Sequence, residues 1–392
     1  MVTMTTAQNA LKDIYLDVVS NQLNTKTNVL LNQFKQTTQD VYGREVQKLV
    51  PYGVNGGIGA GDEGGQLPSS EGNSYLNFTA SLKNLFGTIE ISDKAIRASN
   101  DDAGAFVNLL TAEMEGLLES SKFNLGRMLY GDGSGKLANI SSANSTKNTI
   151  TLDNVQNIVE GMTIDIYDGN SAVSGFQGVR IVSVDRATKV ITISAEITST
   201  FVSNANKYAI YVQNSKDQEL TGLEAIFATS GSIYGLSRTN YPFLTSYIKT
   251  KSTSETFNEA LIQEVMDEVE IRTGNKMNFI VTTNEVKRKF ASTLSAFNKN
   301  IDTTNLNGGY KALSFNGIPL YGDKFVKSGN LYMLNTNDFS ICQLCDWEWL
   351  TNEDGSILKQ KQGYASYLAT LVKYAELICS RPGAQGKMTS LT

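Results

Sequence analysis

A chain of 392 residues, 41% hydrophobic and 19% charged, has the composition of a folded protein with more than one domain. Lys and Arg total 34 against 39 Asp and Glu, and the net charge of -5 excludes a broad basic surface for gripping nucleic acid. Histidine is absent altogether, which excludes Ser-His-Asp and Cys-His catalysis, imidazole bases and histidine-bearing zinc sites.

Residues 8–36 carry Leu11, Ile14, Tyr15, Val18, Val19 and Leu23 at spacings of three and four, followed by Val29, Leu30, Leu31 and Phe34. This predicts a helical arm over 1–40, packed either on its own domain or on a neighbouring subunit. An extended stretch with Val46, Leu49 and Tyr52 then leads into seven glycines within thirteen residues, Gly53, Gly56, Gly57, Gly59, Gly61, Gly64 and Gly65, with Asp62 and Glu63 among them. The alternating run from Tyr75 to Leu82 follows, so 41–92 reads as an extended hairpin with a glycine-rich tip. A phosphate loop is disfavoured, because no lysine follows the glycines and two acids would repel the ligand.

Asn100-Asp-Asp predicts a helix start, and Phe106, Leu109, Leu110, Met114, Leu117, Leu118, Leu125, Met128 and Leu129 continue one apolar stripe to Gly131–Gly135. Thirty residues at about 1.5 Å each give a rod of roughly 45 Å, within a segment 93–135. Helical spacing disappears over 136–216. Five short alternating runs, near residues 149, 162, 179, 190 and 208, predict a small all-β module of barrel type inserted into the host chain.

From 217 to 345 the pattern is α/β. Phe257, Leu261, Ile262, Val265, Met266 and Val269 form a helical face that ends at Gly274. Met277–Thr283 reads as a buried strand, and Asn284 as the cap of a helix running to about Phe297. Asp302 to Gly309, including Asn305, Asn307 and Gly308, reads as a polar loop, with strands at 317–321 and 331–334. The remainder, 346–392, is expected to form a long strand over Tyr364–Ile378 and a polar tail opening at Ser380.

Few residues suggest chemistry. Cys342 and Cys345 have zinc-ligand spacing, but only Cys379 remains to join them, so buried thiols are expected. The acids from Glu259 to Glu270 read as a solvated helix face, and Trp347 and Trp349 as side chains packing on one side of a strand. No cofactor, metal or catalytic residue is assigned. No apolar run approaches the roughly 20 residues of a membrane span, and the start lacks a signal-peptide pattern, so residence in a cytosol is expected.

The order of these pieces resembles the major capsid proteins of tailed bacteriophages, whose shell fold is shared with encapsulins. The resemblance runs nearly end to end: arm at 1–40, extended loop at 41–92, spine helix at Asp101–Tyr130, and an axial domain holding Val281-Thr-Thr-Asn-Glu-Val and Phe315-Asn-Gly-Ile-Pro-Leu-Tyr-Gly-Asp. It implies an α+β shell fold with N-terminal arm, hairpin loop, spine helix and axial α/β domain, interrupted here by the β-module. It also implies self-assembly into pentamers and hexamers of an icosahedral shell around double-stranded DNA that is enclosed without specific binding. Scaffold, portal and other virion proteins would be partners, and the host bacterial cytoplasm the place of assembly. On this reading Gly53–Gly65 serves assembly at the loop tip, and Asp302, Asn305, Asn307, Gly308 and Gly309 make contacts at the capsomer axis. Some members crosslink subunits through lysine and asparagine; Lys48 and Lys83 lie near the loop without an identifiable partner, so no such crosslink is expected. An encapsulin-like compartment and a β-rich carbohydrate-binding protein are the alternatives.

Overall fold

A computed structural model describes residues 28–94, 103–296, 303–306, 310–351, 355 and 357–391. The central sheet is built around the long strand Ser366–Cys379. It pairs antiparallel with Phe339–Trp349 on one side and Lys83–Ser92 on the other, while Lys35–Thr37 adds in parallel beside Phe339–Trp349. Strand Lys83–Ser92 alternates strictly, with Leu85, Gly87, Ile89 and Ile91 inward, as expected of a sheet covered on one face. The cover is the helix Ala103–Tyr130, 28 residues and thus about 42 Å long, whose Met114, Leu118, Leu125 and Leu129 share the same core. Contact is close: a Cβ on Gly87 would stand 2.9 Å from Leu117 Cδ1.

A second sheet of seven strands runs in the order Tyr247–Thr250, Gly386–Thr389, Leu331–Leu334, Phe279–Thr282, Ile318–Gly322, Tyr310–Phe315, Thr303–Leu306. Helix Glu259–Thr273 covers it with Ile262, Val265 and Val269. Asn258 caps that helix by accepting from the Leu261 amide at 3.1 Å, and Gly274 closes it at φ 66°. A third sheet, between residues 136 and 212, closes on itself. Its ring runs Lys136–Asn144, Thr149–Leu152, Val190–Ile193, Val179–Asp185, Thr163–Asp168, Tyr208–Val212 and back to the first strand. Outside the ring, the short strand Ser171–Ala172 pairs with Thr163–Asp168 alone, and Ile140, Ile150, Ile164, Ile181, Ile191 and Ile210 fill a core separate from the other two.

Several expectations are corrected. Residues 1–27 lie outside the described residues, but the end of the expected arm is a five-residue helix, Val29–Gln33, followed by a strand. Leu30 and Leu31 are buried in the chain's own core, so this part of the expected arm packs on its own domain. The cap of helix Asn284–Ala296 is Thr283, whose hydroxyl accepts from the Val286 amide at 3.2 Å; Asn284 already lies in the helix. Ser380 does not open a polar tail: Gly386–Thr389 is an inner strand, and Gln385 and Leu391 are buried. The expected polar loop also contains Thr303–Leu306, paired antiparallel with Tyr310–Phe315, so Asn305 is a strand residue opposite Lys311.

Candidate assembly surfaces

Strands Glu45–Tyr52 and Ser74–Ser81 pair antiparallel from Glu45 opposite Ser81 to Tyr52 opposite Ser74, giving one hairpin. An isolated two-stranded ribbon is marginal in water, so its base needs support. Here Val46, Val50 and Phe78 are buried, and the Phe78 ring lies 5.3 Å from that of Tyr234. Tyr234 Oη donates to the Leu377 carbonyl and accepts from the Cys379 amide, both at 3.0 Å, while the Tyr234 carbonyl accepts from the Thr79 amide at 3.0 Å. One tyrosine thus ties the hairpin to the central strand, and burial pushes its phenol well above the usual range. Lys48 Nζ adds a bond to Ser340 Oγ at 3.2 Å, and the Tyr52 ring rests 4.9 Å from that of Phe243.

Beyond Tyr52 nothing covers the hairpin. All nine residues singled out at the tip, Gly53, Gly56, Gly57, Gly59, Gly61, Asp62, Glu63, Gly64 and Gly65, fall in this loop, and every one except the half-buried Gly57 is exposed. Gly53 and Gly64 adopt φ of 75° and 85°, where a side chain would be strained. Sequence reading attended to the glycines and missed the apolar residues between them: Val54 is 92%, Ile58 87% and Leu67 84% exposed. Their signal was present in the sequence, as three large apolar residues within a polar, glycine-rich loop.

Of the second expected surface only Asn305 is among the described residues. Asn305 lies in the edge strand of the seven-stranded sheet, whereas Asp302, Asn307, Gly308 and Gly309 fall outside the described residues.

Among the described residues, the alternative chemistries find no constellation. Trp347 and Trp349 are buried at 4% and 5% exposure on one side of their strand and offer no sugar platform. Cys342 and Cys379 are buried thiols raised above their usual range by desolvation. Among the described residues no three Cys, Asp or Glu side chains are gathered to hold a metal. The acidic helix face is spent on ion pairs, Glu264 with Lys249 at 2.8 Å and Glu268 with Arg272 at 2.7 Å. No helix among the described residues is long and apolar enough to cross a membrane.

A spine helix laid across a sheet, a hairpin anchored at its base and bare at its tip, and a second sheet covered by helices are together the capsid-shell fold of tailed phages. No protein-family model and no curated protein matches the sequence. Among solved structures, the chain is similar to the capsid asymmetric unit of cyanophage A-1(L), with a TM-score of 0.56 at 12% identity over 93% of this chain and 91% of that one. Mycobacterium phage Bobi gives a TM-score of 0.47 at 8% identity, covering 93% and 91%. The holo-SrpI encapsulin complex from Synechococcus elongatus PCC 7942 gives 0.44 at 11% identity, covering 95% and 94%. The fold assignment rests on the first of these.

Proposed function

We propose that this chain is a major capsid protein, whose copies form the pentamers and hexamers of an icosahedral shell enclosing a tailed phage's double-stranded DNA. The observation that carries this reading is the hairpin: a base fixed to the central strand through Tyr234, and a tip presenting Val54, Ile58 and Leu67 to solvent. A tip of this kind finishes its burial on another copy, and the glycines let one sequence bend differently at five-fold and six-fold positions. The net charge of -5 suits a lumen that encloses DNA without gripping it. The closed sheet between residues 136 and 212 reads as an inserted module, because its core is its own and its first and last strands lie side by side. Scaffold and portal proteins are expected partners, the host bacterial cytoplasm the place of assembly, and no enzymatic role is assigned.

Negative-stain microscopy of the expressed chain, with and without a candidate scaffold, tests the proposal. Closed shells are expected, and the double variant Gly57→Pro with Gly61→Pro should give open or misassembled particles. A chain that stays monomeric at high concentration with its scaffold present would refute the reading. Shells that co-purify with an enzyme cargo in place of DNA would move it to an encapsulin-like compartment.

A further inference from the structure

The middle of the central sheet holds a lysine where an apolar residue is expected. Lys373 is 1% exposed and lies opposite Leu85, on the face that the spine helix covers. Its Nζ stands 5.9 Å from the centre of the Trp347 ring. That nitrogen donates to Gln343 Oε1 at 2.7 Å and to Asp346 Oδ1 at 2.7 Å. The pairing of Phe339–Trp349 with Ser366–Cys379 slips on both sides of Cys345, and these irregularities accompany the arrival of Asp346 beside the lysine.

The three groups differ in their access to water. Lys373 and Gln343 are both buried, whereas the Asp346 side chain is 34% exposed. A carbonyl bond of about 1.2 Å places the Gln343 Cδ within about 3–4 Å of the amine, close to the separation at which bound groups react. Burial holds the lysine below its usual range, with Asp346 opposing that shift. An amine so placed becomes a nucleophile once its proton passes to the carboxylate on the wet side.

We propose that Lys373 and Gln343 join in an intrachain isopeptide bond, with Asp346 carrying the protons. The Asp346 carboxylate takes a proton from the Lys373 ammonium, and the freed electron pair attacks Gln343 Cδ to form the new C–N bond. Asp346 then delivers a proton to the departing Gln343 Nε2, and the old C–N bond breaks. The proton left on the attacking nitrogen goes to the ammonia. One ammonium and one primary amide become one secondary amide and one ammonium ion, with no oxidant or reductant needed. The product ties the two central strands covalently and removes a buried charge. It lies within one chain, and it does not depend on the shell reading.

Intact-mass spectrometry of the full, denatured chain tests the proposal. The wild-type chain is expected to be lighter than its sequence by one ammonia. Trypsin should fail to cut after Lys373, and the peptide holding Gln343 should appear joined to the one holding Lys373. Gln343→Glu and Asp346→Asn should each keep the full sequence mass. A wild-type chain of full mass, before and after assembly, overturns the proposal even if both variants misfold. Loss of ammonia with normal cleavage after Lys373 overturns it too, since that places the loss elsewhere in the chain.

Discussion

Arg127, near the end of the spine helix, and Glu219, in the connecting segment that leaves the closed sheet, form a two-point ion pair with side chains 5% and 2% exposed. Arg127 Nη1 donates to Glu219 Oε2 at 2.9 Å, Nη2 donates to Oε1, and Nη2 also reaches Asn124 Oδ1 at 2.7 Å. The pair sits where the two connecting segments run together, with the Asp217 amide on the Ser134 carbonyl at 2.9 Å and the Glu219 amide on the Gly133 carbonyl at 3.3 Å. Breaking a buried pair strands a charge, so Arg127→Met or Glu219→Gln should each cost about 3–5 kcal/mol in urea unfolding. The double change Arg127→Met with Glu219→Leu should cost less than either single change; a larger loss would show that the pair itself supplies net stability.

The same junction contains a backbone contact with no room for a side chain. A Cβ on Gly222 would lie 2.3 Å from the Met128 carbonyl oxygen and 2.5 Å from that of Gly131. Gly222→Ala should therefore lower stability by about 1–3 kcal/mol, as overpacking does, although alanine suits its ordinary φ of -82°. A thermal melt unchanged from wild type would refute the contact.

Glu376 gives a pH dependence of unusual sign. Desolvation raises its carboxyl from 4.5 to about 7, against bonds from the Thr221 amide at 2.7 Å and the Leu377 amide at 2.9 Å. Between those values the folded chain holds a proton that the unfolded chain has released. The contribution of this group is therefore full below about 4.5 and declines as pH rises to about 7, by roughly 3 kcal/mol at most. Glu376→Gln should remove that decline. Its stability relative to wild type, from denaturant melts, should grow from pH 5 to pH 8, and a constant difference would count against the assignment.

The tip should be silent in folding and decisive in assembly. Replacing Val54, Ile58 and Leu67 together by serine touches only exposed side chains, so the monomer's urea transition should move by no more than about 0.5 kcal/mol. Shell yield by sedimentation should fall to background. Normal shells from this variant would place the contacts elsewhere.

The closed sheet should be separable. With its own core and adjacent ends, Lys136 opposite Tyr211, a fragment of residues 136–213 is expected to unfold cooperatively on its own. A fragment without a cooperative transition would mean that the host chain supplies part of its stability.

Strands that alternate clearly were legible in the sequence: Thr149–Leu152, Val179–Asp185 and Val190–Ile193 fall where their β-branched residues place them. Lys136–Asn144 was missed, because Lys-Leu-Ala-Asn-Ile-Ser-Ser-Ala-Asn has small and polar residues where its neighbours carry Val or Ile. Gly386–Thr389 was missed for a different reason. Its Lys387 reads as solvent-facing in one dimension, yet it is buried because Glu224 accepts from it at 2.8 Å across 163 residues of chain. The glycine-rich tip was found by composition alone, but its anchor was not, since nothing near Tyr234 marks it as the partner of Phe78 and of the central strand.

Strand Gly386–Thr389 has one more implication, for the timing of synthesis. It lies between Tyr247–Thr250 and Leu331–Leu334, so neither of them has its full set of backbone partners until Thr389 has left the ribosome. A product interrupted before Gly386 carries an open slot in that sheet and is left as a substrate for proteolysis. Two strands made early in synthesis thus wait on a distant one, and deleting Gly386–Thr389 should leave both with unpaired backbone.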